Sequence, residues 1–185
     1  MKDPKLIDRA KRGDKEAFTT LVLTLGDRLY SVAYRILRDG GRAEDAVQQT
    51  FLIAWRELPK LRDESRLEAW LFKLLVNTCY GEIRHTRRWQ PGLHVVSDLD
   101  SGPITDDAQV SVARSDEIER AFRRLSGEQR ALLVMHHYLG LSGAEIGETL
   151  GLSPGTVRSR LHYARQLMRA AIEADSRPFV AGGIA

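Results

Sequence analysis

An all-α fold is predicted, built as two small helical bundles joined by an acidic tether. Three observations predict it. Apolar residues recur at spacings of three and four over most of the chain. Residues 90–113 break that rhythm with two prolines, two glycines and four aspartates, and carry no lysine or arginine. No stretch alternates as a half-buried strand would, and no internal repeat stands out.

The first long helix is expected to start near Asp14. Phe18, Leu21, Val22, Leu25, Leu29, Val32, Ala33 and Ile36 form its inner stripe, and Gly40 and Gly41 end it. A second helix runs from about Arg42 to Leu58, with Val47, Phe51, Ala54, Trp55 and Leu58 inward, and Pro59 stops it. After the polar loop K-L-R-D-E-S-R comes a third helix, from about Leu67 to Arg88. It is expected to bury Leu67, Trp70, Leu71, Leu74, Leu75 and Thr78. Beyond the tether, a short helix carries Ile118, Phe122 and Leu125. The next opens with S-G-E-Q, where Ser126 and Gln129 can form a capping box, and Leu132, Leu133 and Met135 give it a core face.

Residues Ser142 to Ala170 then read as a helix, a tight turn and a second, basic helix. Ser142 and Glu145 form a further capping box, and Ile146 and Leu150 face inward. Gly151 suits the left-handed position that ends a helix. Ser153 caps the last helix and Pro154 takes its first position, where a missing N–H costs nothing. Val157, Leu161, Ala164 and Met168 make the inner stripe. Thr156, Arg158, Ser159, Arg160, His162, Tyr163, Arg165 and Arg169 are left outside. Between Ser153 and Ile172 there are four arginines and no acid, whereas an ordinary solvated helix mixes both signs. Double capping, the Gly151 turn and one-sided charge together give the outline of a helix-turn-helix DNA reader. In that arrangement Thr156, Arg158, Ser159 and His162 lie nearest the bases.

Composition bounds the rest. With 185 residues, 29% charged and 43% hydrophobic, the chain is globular rather than disordered, and long enough for one domain or two small ones. A single cysteine, Cys79, excludes an intrachain disulfide framework and reads as a small, partly buried hydrophobe. No apolar run approaches the ~20 residues that span a bilayer, and the N-terminus lacks the apolar core of a secretory signal. A cytoplasmic protein without membrane insertion is expected. Residues 1–89 carry 18 basic and 13 acidic side chains, and residues 114–185 carry 10 and eight; the tether between them is purely acidic. That layout suits two domains that each meet a polyanion. His136 and His137 are adjacent, so they point to different sides of a helix, and no second cluster accompanies them; no metal is expected. No Gly-rich phosphate loop and no nucleophile–base pair appears, so neither a cofactor nor a catalytic activity is expected.

Two surfaces of the first domain differ in chemistry. On the second helix, Glu44, Asp45, Gln48, Gln49 and Arg56 fall away from the core stripe, with Leu52 and Ile53 between the faces. That patch is either a plain solvated face or a protein-binding one. On the third helix, Lys73, Asn77, Tyr80, Arg84, Arg87 and Arg88 share one side, near His85 and Trp89. Positive charge mixed with rings and an amide can hold single-stranded nucleic acid. Alternatively, Trp89 closes the core and the two arginines merely precede the tether.

Two blocks now coincide. One is R-A-E-D-A-V-Q-Q-T-F-L-I-A-W-R with L-E-A-W-L-F-K-L-L-V-N-T. The other is L-S-G-E-Q-R-A-L-L-V-M-H-H-Y-L-G-L-S-G-A-E-I-G-E-T-L-G-L-S-P-G-T-V-R-S-R-L-H-Y-A-R. In this order, and across this tether, they resemble bacterial sigma factors of the extracytoplasmic-function group, over about residues 5–172. The resemblance implies a non-catalytic promoter-specificity subunit of RNA polymerase. Residues 1–89 would be sigma region 2, 90–113 the linker, 114–175 sigma region 4, and 176–185 a tail. It implies that Asp45, Gln48, Gln49 and Leu52 dock on the β′ clamp helices of core polymerase, while region 4 meets the β flap. Leu61, Arg62, Asp63 and Ser65 of the polar loop, with Asn77, would capture a flipped base of the minus-ten element. Tyr80, Arg84, Arg87 and Arg88 would grip neighbouring DNA, single- or double-stranded. The minus-35 element would be met by His136, Thr156, Arg158, Ser159, Arg160, His162, Tyr163 and Arg165. The linker would thread the RNA-exit path, and an anti-sigma factor would hold the protein inactive by covering both domains. Two positions depart from the family. Gly81 stands where many members carry aspartate, which predicts a fray or bend late in the third helix. His136 stands where many carry arginine, which makes a phosphate contact depend on pH.

A reading that competes with this one is a stand-alone dimeric helix-turn-helix regulator of palindromic sites. The acidic tether and the first block argue against it.

Overall fold

The computed structural model describes residues 4–89 and 117–175, and every regular element among them is helical. The acidic tether and the tail after Asp175 lie outside the described residues. Helix α1 (Pro4–Lys11), which periodicity alone did not single out, buries Ile7 and Ala10 against the next helix. Its amphipathic stripe is only two turns long, too short to stand out in an 11-residue window. Asp14 caps α2 (Lys15–Leu37) by accepting from the Ala17 N–H at 3.0 Å, and Arg9 Nε donates to the same carboxylate at 2.7 Å. These two contacts hold the Asp14 carboxyl below its ordinary range, the Ala17 bond contributing most.

The end of α2 corrects an expectation. Arg38, not a glycine, takes the left-handed position (φ 58°), and its N–H closes on the Tyr34 carbonyl. Gly40 and Gly41 open α3 (Gly40–Glu57) rather than terminate α2, because Asp39 is available to accept from the Arg42 N–H at 2.9 Å. Ala43, Ala46, Thr50, Phe51 and Ala54 form the buried face of α3. Phe18 joins α2 to it, edge-on to both Phe51 and Trp55. Pro59 lies in a 3₁₀ turn, Leu58–Lys60; a second such turn, Glu64–Arg66, leads into α4 (Leu67–Trp89).

Helix α4 buries Leu67, Leu71 and Leu75 as expected, but also Phe72, Val76, Cys79 and Tyr80. It is covered on two faces, by α2 and α3 on one and by the C-terminal helices on the other. It also continues unbroken through Gly81, where a bend was expected.

The C-terminal helices are α5 (117–123), α6 (Gly127–Leu133), a π-helical turn Val134–Tyr138, α7 (Gly143–Leu150) and α8 (Pro154–Asp175). The Ser126–Gln129 capping box is formed. Leu125 is buried and Phe122 packs against the core as expected, whereas Ile118, expected with them, is half exposed and Ala121 faces inward in its place. One continuous apolar cluster runs from Ile7 in α1 to Ala164 in α8, so the two bundles share a core. At their junction the buried Arg130 guanidinium donates to the Ile36 carbonyl at 2.7 Å and the Leu125 carbonyl at 2.6 Å. The Ile36 carbonyl belongs to the last turn of α2, which leaves such groups without an intrahelical partner. Burial pushes the Arg130 pKa down to about 10, and the helix end favours the cation that remains.

Candidate nucleic-acid interface

The turn between α7 and α8 is built as its residues dictate. Ser142 Oγ accepts from the Glu145 N–H, and Glu145 Oε2 returns to the Ser142 N–H at 2.8 Å. Donation to that carboxylate from the Ser142 N–H, and from the Ser142 hydroxyl at 2.7 Å, holds the Glu145 carboxyl below its usual range. Gly151 takes φ 65°, and the Leu152 N–H reaches the Gly147 carbonyl at 2.9 Å. Ser153 Oγ accepts from the Thr156 N–H at 3.1 Å, which starts α8. Val157, Leu161 and Ala164 are buried beneath, and Met168 is half-buried.

Above that stripe, Arg158, Ser159, His162, Tyr163, Arg165 and Arg169 are exposed. Ser159 Oγ donates to the Thr156 carbonyl at 3.0 Å, so its hydroxyl oxygen is presented outward as an acceptor. Thr156 is half-buried. Arg160 departs from the expected outer set. It turns back, with Nη1 donating to the Tyr80 hydroxyl at 3.1 Å and lying 3.3 Å from Glu128 Oε2. Helical spacing puts Arg160 about 200° round the helix from Arg158, on the flank that meets α4.

His136 ends up half-buried, with Nδ1 2.9 Å from the Leu141 carbonyl. A carbonyl only accepts, so Nδ1 carries the proton, and Nε2 could donate to a phosphate only in the doubly protonated ring. His137 beside it is exposed. Its pKa is lowered by partial burial first, then by His136 and Arg165.

On the other bundle, Glu44, Asp45, Gln48, Gln49, Leu52 and Arg56 form an exposed face of α3, and Leu52 is 57% exposed. The loop before α4 is ordered by Asp63, whose carboxylate accepts from the Ser65 N–H at 3.0 Å, and by a Lys11–Glu64 ion pair at 3.1 Å. Arg62, Asp63 and Ser65 are exposed there, and Leu61 is half-buried. Along α4, Asn77, Arg84 and His85 are exposed and Lys73 is half-buried. Tyr80, expected on the same open side, is only 4% exposed beneath Arg160. The side chains of Arg87, Arg88 and Trp89 lie outside the described residues. Cys79 is fully buried, and burial pushes its thiol up to about 12. Residues 21–89, which hold the acidic α3 face, the ordered loop and Asn77, match the family model for Sigma-70 region 2. Residues 115–168, which hold the helix-turn-helix, match that for Sigma-70 region 4. The chain is 35% identical over 147 residues to the ECF RNA polymerase sigma factor SigL of Mycobacterium tuberculosis, covering 78% of this chain and 82% of that one.

The chain belongs to the extracytoplasmic-function sigma factors of the sigma-70 family.

This sigma factor is also 29% identical over 175 residues to SigW of Bacillus subtilis, covering 89% of this chain and 94% of that one. In solved structures, its fold resembles the sigma factor RpoE of Bartonella quintana, seen there in complex with the anti-sigma factor NepR. The TM-score is 0.62 at 25% identity, over 85% of this chain and 98% of that one. Membership of the family makes it a regulatory subunit of promoter-specific transcription initiation. No helix among the described residues is long and apolar enough to cross a membrane.

Sequence reading missed Arg130 and Tyr138. The one is a lone arginine in an otherwise ordinary helix, and the other is a tyrosine whose direction depends on a π turn. Neither carries a local signal.

Proposed function

We propose that this sigma factor binds core RNA polymerase in the cytoplasm and directs it to promoters by reading two elements with two separate surfaces. The observation that carries the reading is the outer face of α8. Arg158, Ser159, His162, Tyr163 and Arg165 stand exposed together there, with no acid on the helix before Glu173. Arginine forks match guanine edges in the major groove, and the remaining positive charge attracts phosphates by releasing counterions. Thr156 and His136 flank that face, the latter as a phosphate contact available only to the cationic ring.

The exposed α3 face supplies the polymerase contact. Asp45, Gln48 and Gln49 offer acceptors and amides around Leu52, an apolar anchor that a partner would cover. The region from Leu61 to Ser65, with Asn77, Arg84, Arg87 and Arg88, binds the minus-ten strand. A loop pre-ordered by Asp63 offsets part of the few kcal/mol that base extrusion costs. Residues 1–89 and 114–175 act as the two recognition units, and 90–113 as the acidic segment that joins them. Residues 176–185 are left as a tail. Among solved relatives, RpoE is paired with NepR and CnrH with the cytosolic domain of CnrY. By that analogy an anti-sigma factor is the regulator of this chain, covering both units.

Pull-down with core polymerase followed by run-off transcription tests the reading, and absence of core binding sinks it. Asp45→Ala or Gln48→Ala should weaken core binding and leave the helical content unchanged. Arg158→Ala should weaken binding at the minus-35 element by about 1–3 kcal/mol if the guanidinium meets a base. Unchanged promoter preference rejects that role.

A further inference from the structure

Helix α1 precedes residues 21–89, the stretch that matches region 2, and none of the proposed DNA and polymerase contacts lies on it. Its place is nevertheless fixed. The Gly13 N–H reaches the Ala10 carbonyl at 3.0 Å and the Asp14 N–H reaches the Arg9 carbonyl at 3.2 Å, with Gly13 left-handed at φ 88°. Together these bonds close the end of α1 as a Schellman turn. Asp14 also caps α2 and accepts from Arg9, so one carboxylate sets the angle between the two helices. Ile7 and Ala10 are buried, and α1 packs beside both 3₁₀ turns that frame the proposed minus-ten loop. From the last turn of α1, Lys11 Nζ donates to Glu64 Oε1 at 3.1 Å, across 53 positions of sequence. Both side chains are largely covered, at 21% and 29% exposure. Salt screens such a pair less than one in open solvent.

The shape of the loop shows what that contact does. Leu61 packs against the core where the loop begins, and Leu67 is buried where it ends. Between them Arg62, Asp63, Ser65 and Arg66 are exposed, while Glu64 turns back toward α1. Asp63 orders the loop from within. Its carboxylate accepts from the Ser65 N–H and hydroxyl, and its carbonyl accepts from the Arg66 N–H at 3.1 Å. Those bonds join the loop to itself. The Lys11–Glu64 pair joins it to another helix, and so opposes rotation of the loop about its two ends. We propose that α1 is a brace for the minus-ten loop, and that Lys11, acting through Glu64, is a positioning residue: it holds Arg62, Asp63 and Ser65 where the strand is read and touches no base itself. The inference rests on the promoter reading proposed for the chain. Its effect is on populations. A loop that spends time in other orientations binds its own strand more weakly by the fraction lost. Attraction to the phosphates of any DNA is independent of that orientation, so discrimination falls rather than general affinity.

Two substitutions of opposite charge separate bracing from plain electrostatics. Lys11→Met removes a cation and Glu64→Met removes an anion. Acting through net charge alone, the first would weaken transcription from every promoter and the second would strengthen it. Acting as a brace, both lower discrimination. A promoter would be selected with the full-length wild-type protein on core polymerase, and single bases of its minus-ten element then changed. Run-off transcription gives the ratio between selected and changed elements. Each variant should cut that ratio about threefold, the scale of one partly exposed ion pair, with core binding and minus-35 preference as in the wild type. Lys11→Arg should keep the wild-type ratio, and the exchanged pair Lys11→Glu/Glu64→Lys should recover most of it. Wild-type ratios in both single variants overturn the brace, as does a loss that the exchanged pair fails to restore. Opposite effects of the two variants also overturn it and leave net charge as the cause. A wild-type holoenzyme that selects no minus-ten element overturns the promoter reading, and the brace with it. Should Lys11→Met fail to fold, Lys11→Gln takes its place and the same outcomes decide.

Discussion

At Gly147 the helix-turn-helix admits no side chain. A Cβ there would lie 2.6 Å from the Leu152 carbonyl oxygen, which is backbone and cannot swing aside. Gly147→Ala is therefore expected to lower stability by about 1–3 kcal/mol, read as a reduced urea midpoint, and to weaken duplex binding as the turn widens. A midpoint equal to that of the wild type would show that the turn can shift without cost. Gly151, four residues on, was legible in the sequence because it follows the last periodic apolar residue, where a left-handed cap is needed. Gly147 was not. A glycine inside a helical pattern looks like weak propensity until the strand of backbone that crosses it is known.

Single elements were read best where caps and periodicity agree. Both capping boxes and the start of α8 follow from Ser126, Ser142, Ser153 and Pro154. The end of α2 was misplaced because two glycines outweigh an arginine in any local reading, yet Asp39 needed to cap the following helix. Helix α4 gives a further prediction. A Cβ on Gly81 would meet nothing within 4 Å, and the helix is regular on both sides. Gly81→Ala should raise stability by up to about 1 kcal/mol, seen as a higher thermal midpoint, because alanine loses less backbone entropy on folding. A lower midpoint would mean that α4 needs to flex at Gly81. The face of α4 bearing Leu67, Leu71 and Leu75 was visible in the 3.6-residue period. The burial of Phe72, Val76 and Tyr80 on its second face was not, since a helix packed on two sides loses the contrast that periodicity reads.

At the scale of the whole molecule, Arg130 is the group most exposed to test. Arg130→Met removes the donor to two buried carbonyls, at Ile36 and Leu125, while relieving the burial of a charge. Each orphaned acceptor costs about 1–3 kcal/mol, and the relieved desolvation offsets part of it. A net loss of roughly 1–3 kcal/mol is expected in urea unfolding followed by circular dichroism. A gain in stability would show that the buried charge costs more than its bonds return. The sequence by itself determined the all-α class, the helix-turn-helix and the sigma-factor family. Each is written in local terms: caps, turn residues, periodic stripes and two motif blocks. Only the tertiary structure decided that the two bundles share one core, that Tyr80 lies under Arg160, and that Arg130 closes the end of α2. Those contacts join residues 80 to 94 positions apart, and no local propensity or spacing encodes which distant surface a helix will meet.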